Sequence, residues 1–513
     1  MADELPELVT RPLEGAERVA SRLIASLGVR RAERSAGTGP STTDNGITSD
    51  LAGLVGRQRA DGGWAWCDDP QCQSDPNVTG WALLAIGEAK RDGLSVDDGV
   101  VARASTYALQ SLDRTTDVNA PADPSPKALL LAALAAAGDK RTVALRARSL
   151  FEQQRTRLSS WGRAALILAL TDAGVEAADP QIRALLDDLA TATIANANGN
   201  HWEDPPVHGT FLTNIAATAL GVQALVRVAP THTLLAQTVR WLVLARGAES
   251  WRTSTERALG VLALTGYAVA TGELAGDYGY AVLLDGTKLL SGTVTKGKAA
   301  AAGSGQVPLG ALTPGRPSGL AFTRDYDRPG RLYYTVDLRY TTPAATVEAV
   351  NRGFAVSHEY TTVEDPTHPI TSARSGETVR VKLTVLVPAD RSYVTVEDLL
   401  PAGLEPVDAR LRTVDPALKA KLDADRTSAA QRQAGGYAAP WYRWYYSPWQ
   451  QVDLRDDRAV LSADRVSKGV YEYIYYARAT TPGDFFVAPA HAEEQYFPEV
   501  FGRSDSGRFT VTP

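Results

Sequence analysis

The sequence predicts a multidomain α plus β protein, an α/α toroid of helical hairpins followed by β-sandwich domains. Three observations carry that expectation. A chain of 513 residues is longer than one hydrophobic core organises, so it divides into domains. Up to about Thr271 it is rich in Ala, Leu and Arg, with segments of helical spacing separated by short breaks. From about Gly276 apolar and polar residues alternate with period two between Pro and Gly turns. The expected divisions are 1–275 for the toroid, 276–343 for a β segment and 344–513 for a C-terminal β-sandwich.

The helical half repeats one theme. "GWALLAIGEAKRDG" (80–93) is a helix closed by glycine. "SPKALLLAALAAAGDK" (125–140) is another, with Ser125 expected as its N-cap and Pro126 at its first position. "WGRAALILALTDAGVE" (161–176), "TNIAATALGVQALVRVAP" (213–230) and "STERALGVLALTGYAVATGE" (254–273) continue the series, which amounts to about eleven helices. Several are apolar on nearly every side. Such helices are buried between others, which predicts an inner ring enclosed by an outer one.

In the second half, "YAVLLDG" runs into "TKLLSGTVTKG" as a hairpin turning on Asp285–Gly286. "GRLYYTVDLRYTTP" (330–343) and "ETVRVKLTVLVP" (377–388) read as strands, as do "SYVTVEDLLPAGLEPVD", "GVYEYIYYARATTPGDFFVAPA" and "GRFTVTP". "LKAKLDADRTSAAQRQAGG" (418–436) is polar and reads as a mobile excursion between strands.

Composition excludes several functions. The net charge of −6 is modest and no basic stripe suggests nucleic acid. No apolar run approaches a membrane span. The opening "MADELPELVT" is acidic and polar, unlike a secretory leader. Met1 is the only methionine, which fits a piece of a longer protein. The two cysteines, Cys67 and Cys72, share the Asp- and Pro-rich loop "CDDPQCQSDP". A disulfide suits an exported protein, and two reduced thiols are the alternative.

"QRADGGWAW" holds Gln58, Gly62 and Trp64 at the spacing Q-x-x-x-G-x-W. The chemistry of that set is packing: an amide at a helix end, a glycine free to take positive φ, and an indole covering helix ends. "GNHWEDP" and "ESWRTSTERA" repeat it more loosely around Trp202 and Trp251. Terpene cyclases and protein prenyltransferases use such toroids for catalysis. No D-x-D-D acid motif is present here. Zinc would need Cys67 or Cys72 together with His201 or His208, and no ligand spacing links them. The expectation is therefore no metal, no cofactor and no enzyme.

Three stretches carry a family resemblance. They are "DGGWAWCDDPQCQSDPNVTGWALLAIGEAKRDG", "WRTSTERALGVLALTGYAVATGEL" and "YEYIYYARATTPGDFFVAPAHAEEQYFPEVFGRSDSGRFTV". In that order the chain resembles the C-terminal part of the bacterial alpha-2-macroglobulins. The resemblance implies a thioester-type toroid over 1–275, a CUB-like remainder over 276–343 and a macroglobulin-like β-sandwich over 344–513. It also implies a protease-trapping protein, periplasmic or extracellular, with proteases as partners of the full-length molecule.

The family's thioester motif is Cys-x-Glu-Gln, followed by a small residue, Ser and Arg. In "PLEGAERVASRL" Glu17 falls on the motif's Glu, and Ala20, Ser21 and Arg22 fall on its flank. Gly15 then stands at the Cys position and Arg18 at the Gln position. Neither side chain can form an acyl-thiol link, so covalent capture is expected to be absent. Two further readings stand beside this one: a toroid enzyme of the cyclase or prenyltransferase kind, and a non-inhibitory binding or adhesion module. For the last, the aromatic-rich "YAAPWYRWYYSPWQ" (437–450) offers a surface. Its Trp441, Trp444 and Trp449 are expected as anchors of a contact between the β-domain and the toroid.

Overall fold

The computed structural model describes residues 15–37, 43–113, 123–196, 198–204, 212–246, 251–296, 303–328, 330–334, 336, 338, 341, 347–412, 414–433, 448–495 and 497–513. The chain forms two compact units, Met1–Asp337 and Leu338–Pro513.

The first unit begins with α1 (Ala16–Ala36), α2 (Asp44–Gly56), α3 (Pro76–Arg91), α4 (Asp98–Asp113), α5 (Ser125–Ala137), α6 (Lys140–Gln154), α7 (Ser160–Asp172) and α8 (Pro180–Thr191). A short hairpin of β1 (Ile194–Asn196) and β2 (Gly199–His201) precedes α9 (Asn214–Val228), α10 (Leu234–Ala245) and α11 (Ser254–Thr271). Burial separates them into two layers. The odd-numbered helices bury most of their residues; α7, for example, buries every position from Ser160 to Leu170 except Arg163. The even-numbered ones bury a stripe: α8 buries Ile182, Leu185 and Leu189, an i, i+3, i+7 set. Each odd helix packs on the next, and α11 packs back on α1, which closes an inner ring.

Small residues allow that closeness. A Cβ at Gly28 of α1 would come within 3.0 Å of the Thr265 hydroxyl of α11. The ring's helices are parallel, since the starts of α1 and α11 touch at one end and Glu88 of α3 meets Arg31 of α1 near the other. Their first turns are capped by Asp75, Ser159, Thr213 and Thr253, whose side chains accept backbone N–H groups. Ser125 is not the N-cap expected of it. It lies inside the first turn of α5, where its hydroxyl accepts the N–H and O–H of Ser159 at 3.0 and 2.7 Å.

The tryptophan staples are packing devices. Trp64 is fully buried; its indole donates to the Leu54 carbonyl of α2 and its backbone N–H to the Thr79 hydroxyl of α3. Trp202 repeats this with the Leu189 carbonyl of α8 and the Thr218 hydroxyl of α9. The rings of Trp202 and Trp251 lie against Gly221 and Gly260, where any side chain would collide with them. After α11 come β3 (Tyr278–Leu284), β4 (Thr287–Val294) and β5 (Leu320–Arg324), an antiparallel sheet of order β4-β3-β5. Its hairpin turns on Asp285 and Gly286, both at positive φ, as Asp-Gly turns require.

The strand expected over 330–343 does not form at the described positions. An alternating pattern makes a strand only where a partner edge accepts it. Here Tyr333 instead donates to Glu273 at 2.6 Å, and Tyr334 stacks on Phe322 with centroids 3.7 Å apart.

The second unit holds β6 (Val350–Arg352), β7 (Ala355–Thr362), β8 (Ser372–Arg374), β9 (Thr378–Val387), β10 (Arg391–Leu399), β11 (Leu404–Pro406), α12 (Pro416–Gln433), β12 (Gln451–Arg455), β13 (Arg458–Val466), β14 (Gly469–Ala479), β15 (Gly483–Val487), β16 (His491–Glu494), β17 (Phe497–Arg503) and β18 (Gly507–Thr512). They make sheets of order β12-β13-β10-β16-β17-β6, β11-β14-β9-β7 and β15-β18-β8. One apolar cluster joins the first two sheets through Leu383, Val385, Val394, Val396 and Leu461, the arrangement of a sandwich.

Of the polar stretch 418–436, expected to be mobile, residues 418–433 form most of α12, which is docked. Leu422 and Ala429 bury against Ile474 and Tyr476, and Asp425 accepts from Arg380 and Tyr476. The apolar face is too narrow to stand out in the sequence, and the polar anchors come from distant strands.

Candidate functional site

The position where the sequence places the capture motif is the start of α1. Gly15 precedes the first helical residue in extended conformation and, as glycine, has no side chain to cap that end. Glu17 follows in the first turn. Its carboxylate accepts from Ser21 at 2.8 Å, from Ser254 at 2.8 and 3.0 Å and from Thr255 at 3.0 Å. Ser21 also accepts the Trp81 indole N–H at 2.9 Å. Arg22 forms a two-pronged ion pair with Asp50 of α2. Arg18 is half-buried in the same turn. The flank residues thus tie α1 to α11, α3 and α2.

Space at Gly15 is closed by backbone. A Cβ there would run into the Trp66 carbonyl oxygen. Trp66 is joined to Cys67, and Cys67 and Cys72 are linked as a disulfide. Arg59 donates to the Cys67 and Asp69 carbonyls at 2.9 and 2.7 Å, and the loop's ends are fixed by an Ala65–Ser74 bridge and by the Asp75 N–H on the Trp64 carbonyl.

The same end of the ring is stitched by acids. Glu256 of α11 accepts from the Thr213 hydroxyl at 2.7 Å and from its own helix's capping backbone. Asp204 accepts the Ser160 and Trp161 N–H groups at the start of α7. Burial raises the pKa of both carboxyls above the ordinary range, against the opposing effect of those hydrogen bonds. At the opposite end the buried Glu88 pairs with Arg31 and Arg91. Burial there would raise its pKa, but the two guanidinium groups outweigh it and hold the carboxyl low. Arg91 and Arg227 both pair with Asp172, extending the network to α7 and α9.

Other candidates fall into place. Cys67 and Cys72 bind each other. His201 stacks on Trp241 with centroids 4.5 Å apart and contacts Glu203. His208 lies outside the described residues. Among the described residues no group of His, Cys, Asp and Glu is arranged to hold a metal, and no helix is long and apolar enough to cross a membrane. Trp441 and Trp444 also lie outside the described residues. Trp449 is buried in the second unit's own core, edge-on to Tyr471 at 6.4 Å, so its burial is explained within that unit. Sequence reasoning missed the Trp66 carbonyl over Gly15 and the clasp from Ser254 and Thr255. Only the capping pattern "TSTE" at 253–256 hinted at the latter.

A ring of parallel inner helices, followed in a separate unit by an antiparallel sandwich, defines the toroid-plus-sandwich class. The bacterial alpha-2-macroglobulin MG10 domain family matches residues 353–499. An alpha-2-macroglobulin homolog of Nostoc sp. is 25% identical over 478 residues, covering 88% of this chain and 23% of the relative. The alpha-2-macroglobulin of Xylella fastidiosa is 26% identical over 503 residues, covering 95% of this chain and 28% of the relative. The crystal structure of native Escherichia coli alpha-2-macroglobulin, from domain MG7 to the C-terminus, matches 100% of this chain and 75% of that one, with a TM-score of 0.52 at 18% identity. The chain therefore spans about a quarter of the length of the curated relatives it matches. Residues 353–499 thus match the bacterial MG10 domain, and the fold is similar to that of the Escherichia coli protein from domain MG7 to its C-terminus.

Proposed function

We propose that this chain serves in an alpha-2-macroglobulin-like protein of the protease-trapping kind, acting without covalent thioester capture and without catalysis of its own. In this reading 1–275 is the thioester-type toroid with its reactive pair lost, 276–343 is a CUB-like remainder and 344–513 is the macroglobulin-like sandwich. Proteases are engaged by the full-length molecule, outside the cytoplasm. The observation that supports it is the start of α1. The motif's frame, Glu17 with Ser21 and Arg22, is kept and hydrogen-bonded, while Gly15 and Arg18 supply neither thiol nor amide. The Cys67–Cys72 disulfide supports an oxidising compartment.

The test is intact-mass spectrometry before and after methylamine. The expected mass is that of the sequence less two hydrogens for the disulfide, unchanged by the amine. A mass lower by one ammonia, restored by methylamine addition, would overturn the reading.

A further inference from the structure

We infer that segment 66–74, closed by the Cys67–Cys72 disulfide, is a redox-sensitive strap that holds down the first turn of α1. The inference does not depend on the proposed function. Three features carry it. First, the Trp66 carbonyl occupies the space a side chain would need at Gly15, so the strap is seated on the helix start. That carbonyl belongs to the peptide unit that continues into Cys67, so the disulfide fixes the very group in contact. Second, this helix start has no side-chain cap of its own. In the same turn Glu17 reaches across to Ser254 and Thr255. Third, the bridge is within reach of a reductant. Both cysteines are half-buried, and Asp68, Asp69, Pro70 and Gln71 between them are exposed.

Without the S–S bond, the strap loses its covalent tie and keeps non-covalent holds. Around the bridge these are Arg59 on two carbonyls, Arg57 with Asp68 at 3.3 Å and the Cys72 N–H on the Asp69 carbonyl; further on, Tyr107 and Asp61 hold Ser74. The loop's ends stay pinned by the Ala65–Ser74 bridge and by the Asp75 N–H on the Trp64 carbonyl, so opening is confined to the strap. The reductant is a dithiol. It supplies two electrons and two protons, the S–S bond breaks to two thiols, and the dithiol closes to its own disulfide. Freed, the Trp66 carbonyl leaves Gly15, the first turn of α1 frays, and the Glu17 clasp to α11 loosens with it. In an oxidising compartment the ring is locked; on reduction it opens at one seam.

Hydrogen exchange read by mass spectrometry tests this on the whole chain. After dithiothreitol, with reduction verified by a gain of two hydrogens, amide exchange in 15–22 and 251–258 should rise about tenfold, while 378–387 in the second unit is unchanged. The Cys67→Ser/Cys72→Ser variant should show the same pattern without reductant. In the oxidised protein Gly15→Ala should raise exchange in the strap, because its methyl displaces the Trp66 carbonyl. Unchanged exchange in 15–22 after full reduction, or an equal rise throughout the helical unit, would overturn the inference. So would a Gly15→Ala protein whose strap exchanges as in the wild type.

Discussion

The carboxylate of Glu17 and the hydroxyl of Ser254 lie 2.8 Å apart across 237 positions of the chain. They join the first inner helix to the last, and with Thr255 and Ser21 they make one carboxylate the closing link of the ring. Glu17→Ala should therefore destabilise the helical unit by about 2–3 kcal/mol, the scale of lost hydrogen bonds to a charged acceptor. Urea unfolding followed by far-UV circular dichroism measures it. Glu17→Gln, which keeps an acceptor, should cost less. Equal, negligible losses in both would show that the ring closes through its apolar seam alone.

Placing the motif's reactive residues in this chain should not create the bond. In a Gly15→Cys/Arg18→Gln protein the new Cβ meets the Trp66 carbonyl. The thiol and the amide should fail to condense with loss of ammonia, and methylamine should add nothing to the intact mass. Spontaneous thioester formation would show that the loop yields easily.

The two ends of the ring should respond to acid with opposite signs. Glu256 has a raised pKa in the fold, so the folded state binds its proton more readily than the unfolded chain does. Its ionisation weakens the fold as pH rises from the ordinary carboxylate range through the raised value, and acid removes that cost. Glu88 has a lowered pKa, so its contribution is present at neutral pH and is lost as pH falls through the depressed value. Compared with Glu256→Gln, the wild type should gain relative stability on going from neutral pH to mild acid. Compared with Glu88→Gln, it should lose relative stability as the pH falls below the ordinary carboxylate range. Denaturant titrations at several pH values read both differences.

Trp449 belongs to the core of the sandwich. Trp449→Ala should cost that unit about 3–5 kcal/mol, as large-to-small core changes do. The helical unit should melt as before. A calorimetric trace in which only the sandwich transition moves is the expected result. Loss of both transitions together would restore the role of inter-unit anchor.

The helical half was legible because its signals are local. Alternating segments, glycine stops and Trp64-type staples repeat often enough to be read as hairpins, and the Asp285–Gly286 turn carries its own chemistry. What escaped depends on groups far apart in the chain. The docking of α12 rests on Arg380 and Tyr476 meeting Asp425. The fate of 330–334 depends on Glu273 and Phe322 offering better partners than a strand edge. At the candidate site the residue types carried the expectation that covalent capture is absent. The carbonyl that closes the space at Gly15 comes from another hairpin, and no pattern in the sequence announces a backbone contact.

The parallel course of α1 and α11 also fixes how the helical unit would bear force. Gly15 and Ser254 are at one end of the seam, and the 18 residues of α11 carry the chain to Thr271 at the other, about 27 Å away. A pull applied between Gly15 and Thr271 runs along the seam. It loads the Glu17 clasp, the Gly28–Leu262 contact and every apolar pair between them at once, in shear, and no contact can be unzipped ahead of its neighbours.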